Sequence, residues 1–381
     1  MKDINDKKKC CGCTACASIC THAAITMEPD DLGFLYPSID ASKCIDCGLC
    51  EKVCQFHVDY NRYSNYKTPL AYSVRIKDQE QLMRSQSGGA FYAIADYILR
   101  TGGIVYGAAF NEQWTVVHQK ASNSNELERL RMTKYVQSDL RGVFQSIKRE
   151  LKDNHKVLFS GTSCQVAGLK AYIPIKLHAN LVCVDIICHG VPSPKIWQDY
   201  LAYLENKYKS KIVKACSRDK RFGWHGARES FVLQNGMELH RRTSNYLYFN
   251  GYTLRDSCAS CVFTNTKRVG DVTIGDHWGL PKDSPYEKDA KGVSLLFANS
   301  AKGEAIVNQV TNTLIYEPVQ LSNCIQPQLQ YPSKLNPHRP NFLDDYTAHG
   351  FEYVAKRYGD MGWRYKLTKT IETIKSIIKY Y

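Results

Sequence analysis

The sequence predicts two folds in succession, a small α+β domain organised around cysteine and then an α/β unit with a mixed, partly parallel sheet. Three observations carry this. Two matched four-cysteine runs fall within the first sixty residues. Strand and helix patterns alternate from Ala71 onward. A strand–helix–strand order near the middle of the chain implies parallel strands joined by a right-handed crossover.

At 381 residues the chain has room for two or three domains, and the larger ones can each bury a core. Residues 1–60 are cysteine-dense with little apolar periodicity. Residues 61–67 belong to a polar stretch, Asp59–Lys67, whose Tyr, Asn and Ser content reads as a linker. In 68–150 the expected order is strand Ala71–Ile76, helix Ala90–Arg100 and strand Ile104–Phe110, with Gly102 and Gly103 ending the helix. Residues 151–330 follow the amphipathic helix Leu140–Leu151 with strand Val157–Phe159, helix Gln165–Tyr172 and strand Leu181–Ile187. Shorter strands such as Ser230–Leu233 and Val272–Ile274 are expected as far as Leu280. Residues 331–381 read as an extended, Pro-rich segment ending in a basic amphipathic helix.

The first chemistry lies in the cysteine runs. Cys10, Cys13, Cys16 and Cys20 follow C-x2-C-x2-C-x3-C, and Cys44, Cys47, Cys50 and Cys54 repeat it. Tight x2 spacings let three thiolates of one loop reach three corners of a 4Fe-4S cubane, while the fourth, a helical turn later, is delivered to the other cluster. Cys10, Cys13, Cys16 and Cys54 are therefore expected to hold one cluster, and Cys44, Cys47, Cys50 and Cys20 a second. Zinc sites or disulfides are the alternatives, but zinc pairs rarely come as two matched runs of four. Cys11 lies off the pattern and reads as a bystander. Over residues 5–58 the sequence resembles the bacterial two-cluster ferredoxin domain, with one departure: Thr21 and Gln55 replace the proline usual after each fourth cysteine.

The formal charge of +13 counts thiol ligands as neutral. Three clusters of about two net negative charges each would reduce it to roughly +7. With the basic residues dispersed and no nucleic-acid-binding motif, no nucleic-acid partner is expected. No run of eighteen apolar residues exists and no export signal opens the chain, so a cytoplasmic, reduced-thiol location is expected.

A second set of cysteines follows predicted strand ends. Cys164 lies just beyond one parallel strand and Cys188 just beyond the next, and the carboxyl ends of such strands converge on one crevice. Cys258 and Cys261 add a CxxC pair, so four thiols are available for a third 4Fe-4S cluster. Spacing alone equally allows small core residues plus a redox or zinc CxxC. Cys183 falls inside a strand as a core residue, and Cys216 and Cys324 have no partner pattern.

Residues 68–315 also resemble the coenzyme F420 hydrogenase/dehydrogenase beta-subunit family. The resemblance rests on Ser87-Gly88-Gly89-Ala90-Phe91, the Gly102–Ala108 run, Lys134-Tyr135-Val136-Gln137-Ser138, the Gly161–Gln165 turn, Cys188–Ser193, the Cys258/Cys261 pair and the Gly270–Gly279 run. It implies a flavin-binding catalytic unit with FAD beside one 4Fe-4S cluster, and it favours Cys164, Cys188, Cys258 and Cys261 as that cluster's ligands. Ser163 stands where the family commonly has proline.

For FAD, Ser87, Gly88 and Gly89 precede an apolar helix whose free N–H groups and dipole suit a pyrophosphate, although such a turn is most often only a cap. Lys134, Gln137 and Ser138 offer charge and hydrogen bonds, and Gly275 and Asp276 follow a strand end. His189, beside Cys188, is the candidate proton donor, or merely a hydrogen-bond partner of sulfur. No G-x-G-x-x-G or Walker loop is present, so a nicotinamide partner is unsupported.

A flavin takes two electrons as hydride and releases them singly, so an attached two-cluster domain would wire it to one-electron donors. The expected function is an iron–sulfur flavoprotein oxidoreductase working between a redox partner protein or small electron donor and an organic hydride acceptor, coenzyme F420-like or other. The alternative is a non-catalytic electron-delivery subunit docking on a separate enzyme, with a link to polysaccharide biosynthesis. In the tail, Leu367, Ile371, Ile374 and Ile378 share a helical face with lysines around it, a pattern that suits peripheral membrane contact or packing on protein.

Overall fold

The computed structural model of the chain describes residues 6–57, 65–363, 365 and 367. Strands β1 (Ile25–Pro29) and β2 (Leu35–Ile39) pair as an antiparallel hairpin. Two short helices, Ala15–Ile19 and Leu49–Lys52, flank it and carry the cysteine loops. Residues 58–60 and most of the linker 61–67 lie outside the described residues.

The rest is built on a sheet of eight strands: β3 (Leu70–Ile76), β4 (Ile104–Phe110), β5 (Val116–Ala121), β6 (Val157–Thr162), β7 (Leu181–Ile186), β11 (Val272–Asp276), β12 (Ser294–Ala298) and β13 (Leu314–Val319). Between β7 and β11 the chain makes a separate antiparallel sheet of β8 (Ile212–Cys216), β9 (Glu229–Leu233) and β10 (Glu238–Arg241). The large sheet runs β13-β3-β12-β11-β7-β6-β4-β5. Its centre is parallel, β4 with β6, β6 with β7 and β7 with β11, and the flanking pairs are antiparallel. The mixed, partly parallel sheet is therefore present.

Alternation along the central strands sorts the core into two layers, because successive side chains leave opposite faces. Leu158, Val182 and Val184 pack under helices Ala90–Arg100 and Ala301–Val310. Val157, Phe159, Leu181 and Cys183 pack under helices Val143–Lys152 and Ser163–Tyr172. Ala15 and Val53 join this second layer, so the cysteine-rich domain sits on that face.

Two expectations are corrected. The segment after Tyr331 is not extended throughout: Arg339–Arg357 is a helix. Pro340 sits in its first turn, where a missing N–H costs nothing. Phe342, Tyr346, Phe351 and Val354 are buried there with Trp197 and Tyr200. Nor are there only short strands before Leu280, since Pro194–Tyr208 is a long helix capped by Ser193, whose Oγ accepts from Ile196 N at 3.1 Å. Ser193 and Pro194 are its start signal. The tail positions Ile371, Ile374 and Ile378 lie outside the described residues.

Candidate functional site

The twelve cysteines expected as ligands line three pockets, four to each. The first pocket is lined by Cys10, Cys13, Cys16 and Cys54, with Met27 and Phe56. Cys10 and Cys13 lie in the loop before helix Ala15–Ile19, Cys16 in that helix, and Cys54 just past helix Leu49–Lys52. The second is lined by Cys44, Cys47, Cys50 and Cys20, with Ile25 and Ile45. This one opens outward: Cys44 and Cys47 are exposed, and Ile45 is 62% exposed.

The third pocket is lined by Cys164, Cys188, Cys258 and Cys261. Thr162 at the end of β6 pairs with Ile186 at the end of β7, so the residues that follow, Cys164 and Cys188, emerge side by side. Cys258 and Cys261 arrive from the single turn Asp256–Ser260 and the residue beyond it. Burial pushes the thiol of Cys258 up to about 12, that of Cys261 to about 11, and that of Cys188 well above its ordinary value. Donors oppose this: Gly190 N–H points to Cys188 Sγ at 3.2 Å and Val191 N–H to Cys258 Sγ at 3.4 Å. Four half-buried thiols facing one pocket, two of them met by backbone donors, fit a 4Fe-4S cubane, whose iron offsets the thiolate charge that burial penalises.

The first and third pockets are neighbours, and Cys11, off the motif, lines both. Gln55 Nε2 donates to Cys11 Sγ at 2.8 Å, to Cys13 Sγ at 3.5 Å and to Cys164 O at 3.3 Å. Helix Ser163–Tyr172 approaches closely at Gly168, where a Cβ would lie 2.7 Å from Cys13 Sγ.

The residues proposed from sequence for the flavin do not all meet. Gln137 lines the third pocket, where its Nε2 donates to Cys11 O at 2.9 Å, and Ser138 Oγ accepts from Gln165 Nε2 at 2.9 Å. Lys134 Nζ is spent on the carbonyls of Arg129 and Arg131, and burial lowers it to about 7. The Ser87-Gly88-Gly89 turn packs on the sheet: Ser87 Oγ donates to Val293 O at 2.6 Å and Gly88 N–H to Ser294 Oγ at 2.9 Å. Within the turn, Gly88 and Gly89 N–H are thus used inside the protein, the latter on Gln86 O at 3.1 Å.

Beside that turn lies a polar group of which sequence reading named only Asp276. Lys220 Nζ donates to Leu82 O, Ser85 O and Ser87 O at 2.6–3.0 Å. Arg218 Nη1 meets Asp276 Oδ2 at 2.7 Å and Nη2 donates to Trp224 O. Trp224 stacks on Trp278 with ring centroids 4.9 Å apart. Within this group Asp276 Oδ1, Arg75 Nε, Trp224 Nε1 and both amide atoms of Gln86 are buried without hydrogen-bond partners among the described residues. Orphaned polar atoms of this kind are costly unless a polar ligand satisfies them, which is what a flavin's pyrophosphate and ring edge offer. Tyr135 connects the two regions, since it interacts with Arg218 and Asp276 on one side and with Cys188 on the other.

Residues 154–322 match the family model for the C terminus of the coenzyme F420 hydrogenase/dehydrogenase beta subunit, and residues 9–58 match the 4Fe-4S dicluster domain. Residues 154–322 are thus similar to the C-terminal domain of F420 hydrogenase/dehydrogenase beta subunits, and residues 9–58 ahead of them to a 4Fe-4S domain. A solved structure of the F420-reducing nickel–iron hydrogenase complex from Methanosarcina barkeri is similar at 17% identity and a TM-score of 0.47, covering 80% of this chain and 97% of that one. No curated protein matches. By its two family matches the chain is an iron–sulfur protein of electron-transfer type related to the F420 hydrogenase beta subunit.

Within this beta-subunit-type domain, His189 is packed edge-on against Tyr248 and Phe249, and its Nδ1 lies 2.8 Å from Gln328 Nε2. Gln328 Nε2 can only donate, so Nδ1 accepts, and burial lowers the ring's pKa from its ordinary value. Among the described residues, no helix is long and apolar enough to cross a membrane.

Proposed function

We propose that the chain is an iron–sulfur flavoprotein oxidoreductase that exchanges electrons between three 4Fe-4S clusters and, through FAD, an organic hydride acceptor. The observation that carries this reading is the grouping of twelve cysteines as three sets of four, with Cys44 and Cys47 of one set exposed and Cys164, Cys188, Cys258 and Cys261 of another half-buried. The outer set is the one a redox partner can reach, and the inner set is next to the orphaned polar group around Asp276.

Clusters supply single-electron storage and a flavin converts two such electrons into hydride. The chain's own residues hold and insulate. Backbone N–H groups of Gly190 and Val191 favour the thiolates of Cys188 and Cys258. Asp276, oriented by Arg218, keeps one carboxylate oxygen free for a flavin donor. Gln86, Arg75 and Trp224 offer the remaining hydrogen bonds. His189, neutral and fixed by Gln328, holds a proton on Nε2 rather than Nδ1.

Anaerobic purification with iron and flavin analysis tests the reading. Three cubanes give about twelve iron atoms per chain, and two give about eight. Near twelve, together with FAD released on denaturation, is the expected result. Clusters without flavin after reconstitution would replace the enzyme with an electron-delivery subunit.

A further inference from the structure

Arg255 is wholly buried, at 0% exposure. Its Nε donates to Cys10 O at 2.8 Å, Nη1 to Gln137 Oε1 at 2.8 Å, and Nη2 to Leu35 O at 2.9 Å and Cys10 Sγ at 3.7 Å. Its guanidinium also lies 4.0 Å from the ring centroid of Tyr36 and 5.4 Å from that of Phe34. These partners are carbonyls, an amide, a thiol and aromatic faces, and none carries a formal negative charge. Among the described residues no carboxylate pairs with it, unlike the buried Arg75, Arg218 and Arg268, which pair with Asp289, Asp276 and Asp185. A buried cation without a counter-charge is strongly disfavoured, so a negative charge absent from the side chains is required nearby.

The position of Arg255 says where that charge lies. It lines the pocket of Cys164, Cys188, Cys258 and Cys261, and it touches Cys10 of the neighbouring set. Through Gln137, which donates to Cys11 O, the same side chain ties the cysteine-rich domain to the beta-subunit-type domain.

We propose that Arg255 is a positioning residue whose guanidinium is the counter-charge shared by the clusters of the first and third pockets, raising the reduction potentials of both and clasping them in register. This rests on the reading of those pockets as 4Fe-4S sites. Reduction adds negative charge to a cluster, and a fixed cation stabilises the reduced form more than the oxidised one. The second pocket, lined by Cys20, Cys44, Cys47 and Cys50, has no contact with Arg255 and serves as the internal reference.

The test is a redox titration of the full-length, anaerobically reconstituted protein followed by electron paramagnetic resonance, comparing wild type with Arg255→Met and Arg255→Lys. Arg255→Met is expected to lower the reduced-to-oxidised ratio of the first and third sets at least tenfold at fixed potential, a shift of about 59 mV for one electron, with a smaller change in the second. Arg255→Lys keeps the charge and loses the fork, so its potentials stay near wild type while chelator strips its iron faster. Arg255→Met with full iron and unmoved potentials would overturn the proposal and leave Arg255 a clasp. If Arg255→Met does not load clusters, a full tenfold shift in Arg255→Lys would overturn it equally. Wild-type iron near eight would sink the third-pocket reading alone, since the first set still reports on Arg255.

Discussion

Gln55 Nε2 stands 2.8 Å from Cys11 Sγ and 3.3 Å from Cys164 O, so one amide joins the two cysteine-bearing parts of the chain. It follows Cys54 directly, at the position where two-cluster ferredoxin domains usually carry proline. A proline there would stiffen the turn but could not make these bonds. The departure from the pattern thus has a structural reason.

Gln55→Leu is expected to cost about 1 kcal/mol, the net worth of a hydrogen bond, and to speed iron release from the Cys10, Cys13, Cys16 and Cys54 set under chelator. The rate should rise in that set and not in the exposed one. Iron loss at the wild-type rate would show that Gln55 fills space only.

The buried pair Arg268–Asp185 should be more costly to break. Arg268 Nη2 lies 2.6 Å from Asp185 Oδ2, with side chains 2% and 0% exposed. Asp185 also accepts from Ser163 Oγ at 2.8 Å and Thr273 Oγ1 at 2.6 Å, fixing β7 to β11 and to the turn that carries Cys164. Arg268→Met leaves a buried carboxylate uncompensated and is expected to cost about 3–5 kcal/mol. Adding Asp185→Asn should restore part of the melting temperature, and a double variant no more stable than the single one would deny the charge argument.

Cysteine substitutions separate ligands from neighbours. Ser replacement of Cys258 or Cys261 is expected to remove about four iron atoms per chain, one cubane. Cys11→Ala should keep the iron count, because Cys11 lines two pockets already furnished with four thiols each. Iron analysis beside the visible absorbance of the clusters reads both outcomes. Loss of a cluster from Cys11→Ala would make that thiol a ligand.

How far the sequence told this in advance depended on whether a signal had one physical meaning. The cysteine runs did, because x2 spacing limits where three thiols of a loop can reach, and the helix Ala90–Arg100 has the same bounds in pattern and structure. Ser87-Gly88-Gly89 did not. A glycine before a helix suits a phosphate, but it also suits close packing, and here a Cβ on Gly88 would lie 2.2 Å from Val74 O. Arg255 and Arg218 were illegible because their partners are 245 and 58 residues away in the chain, a proximity that only the folded sheet creates. The helix Arg339–Arg357 was obscured by the proline content that made the segment read as extended, whereas Pro340 starts the helix and Gly350 kinks it.

Glu229 gives a pH prediction. Its carboxyl is fully buried, with Tyr200 OH donating to Oε2 at 3.0 Å and Asn245 N–H to Oε1 at 2.6 Å, and burial raises its pKa to about 8. Between the ordinary carboxylate value and about 8 the folded chain keeps a proton that the unfolded chain has released. Stability from this group is therefore complete at acid pH and is lost as pH rises toward and through 8. Glu229→Gln mimics the protonated form, so the wild-type stability should fall relative to the variant's as pH goes from about 5 to about 9, by about 4 kcal/mol, read as a widening gap in melting temperature. Lys134 and Lys220, both lowered to about 7 by burial, tilt the curve the other way above neutrality in both proteins, so the difference between the two curves isolates Glu229. Parallel curves across that range would mean that Glu229 is already ionised at neutral pH and held by Tyr200 and Asn245 as a carboxylate.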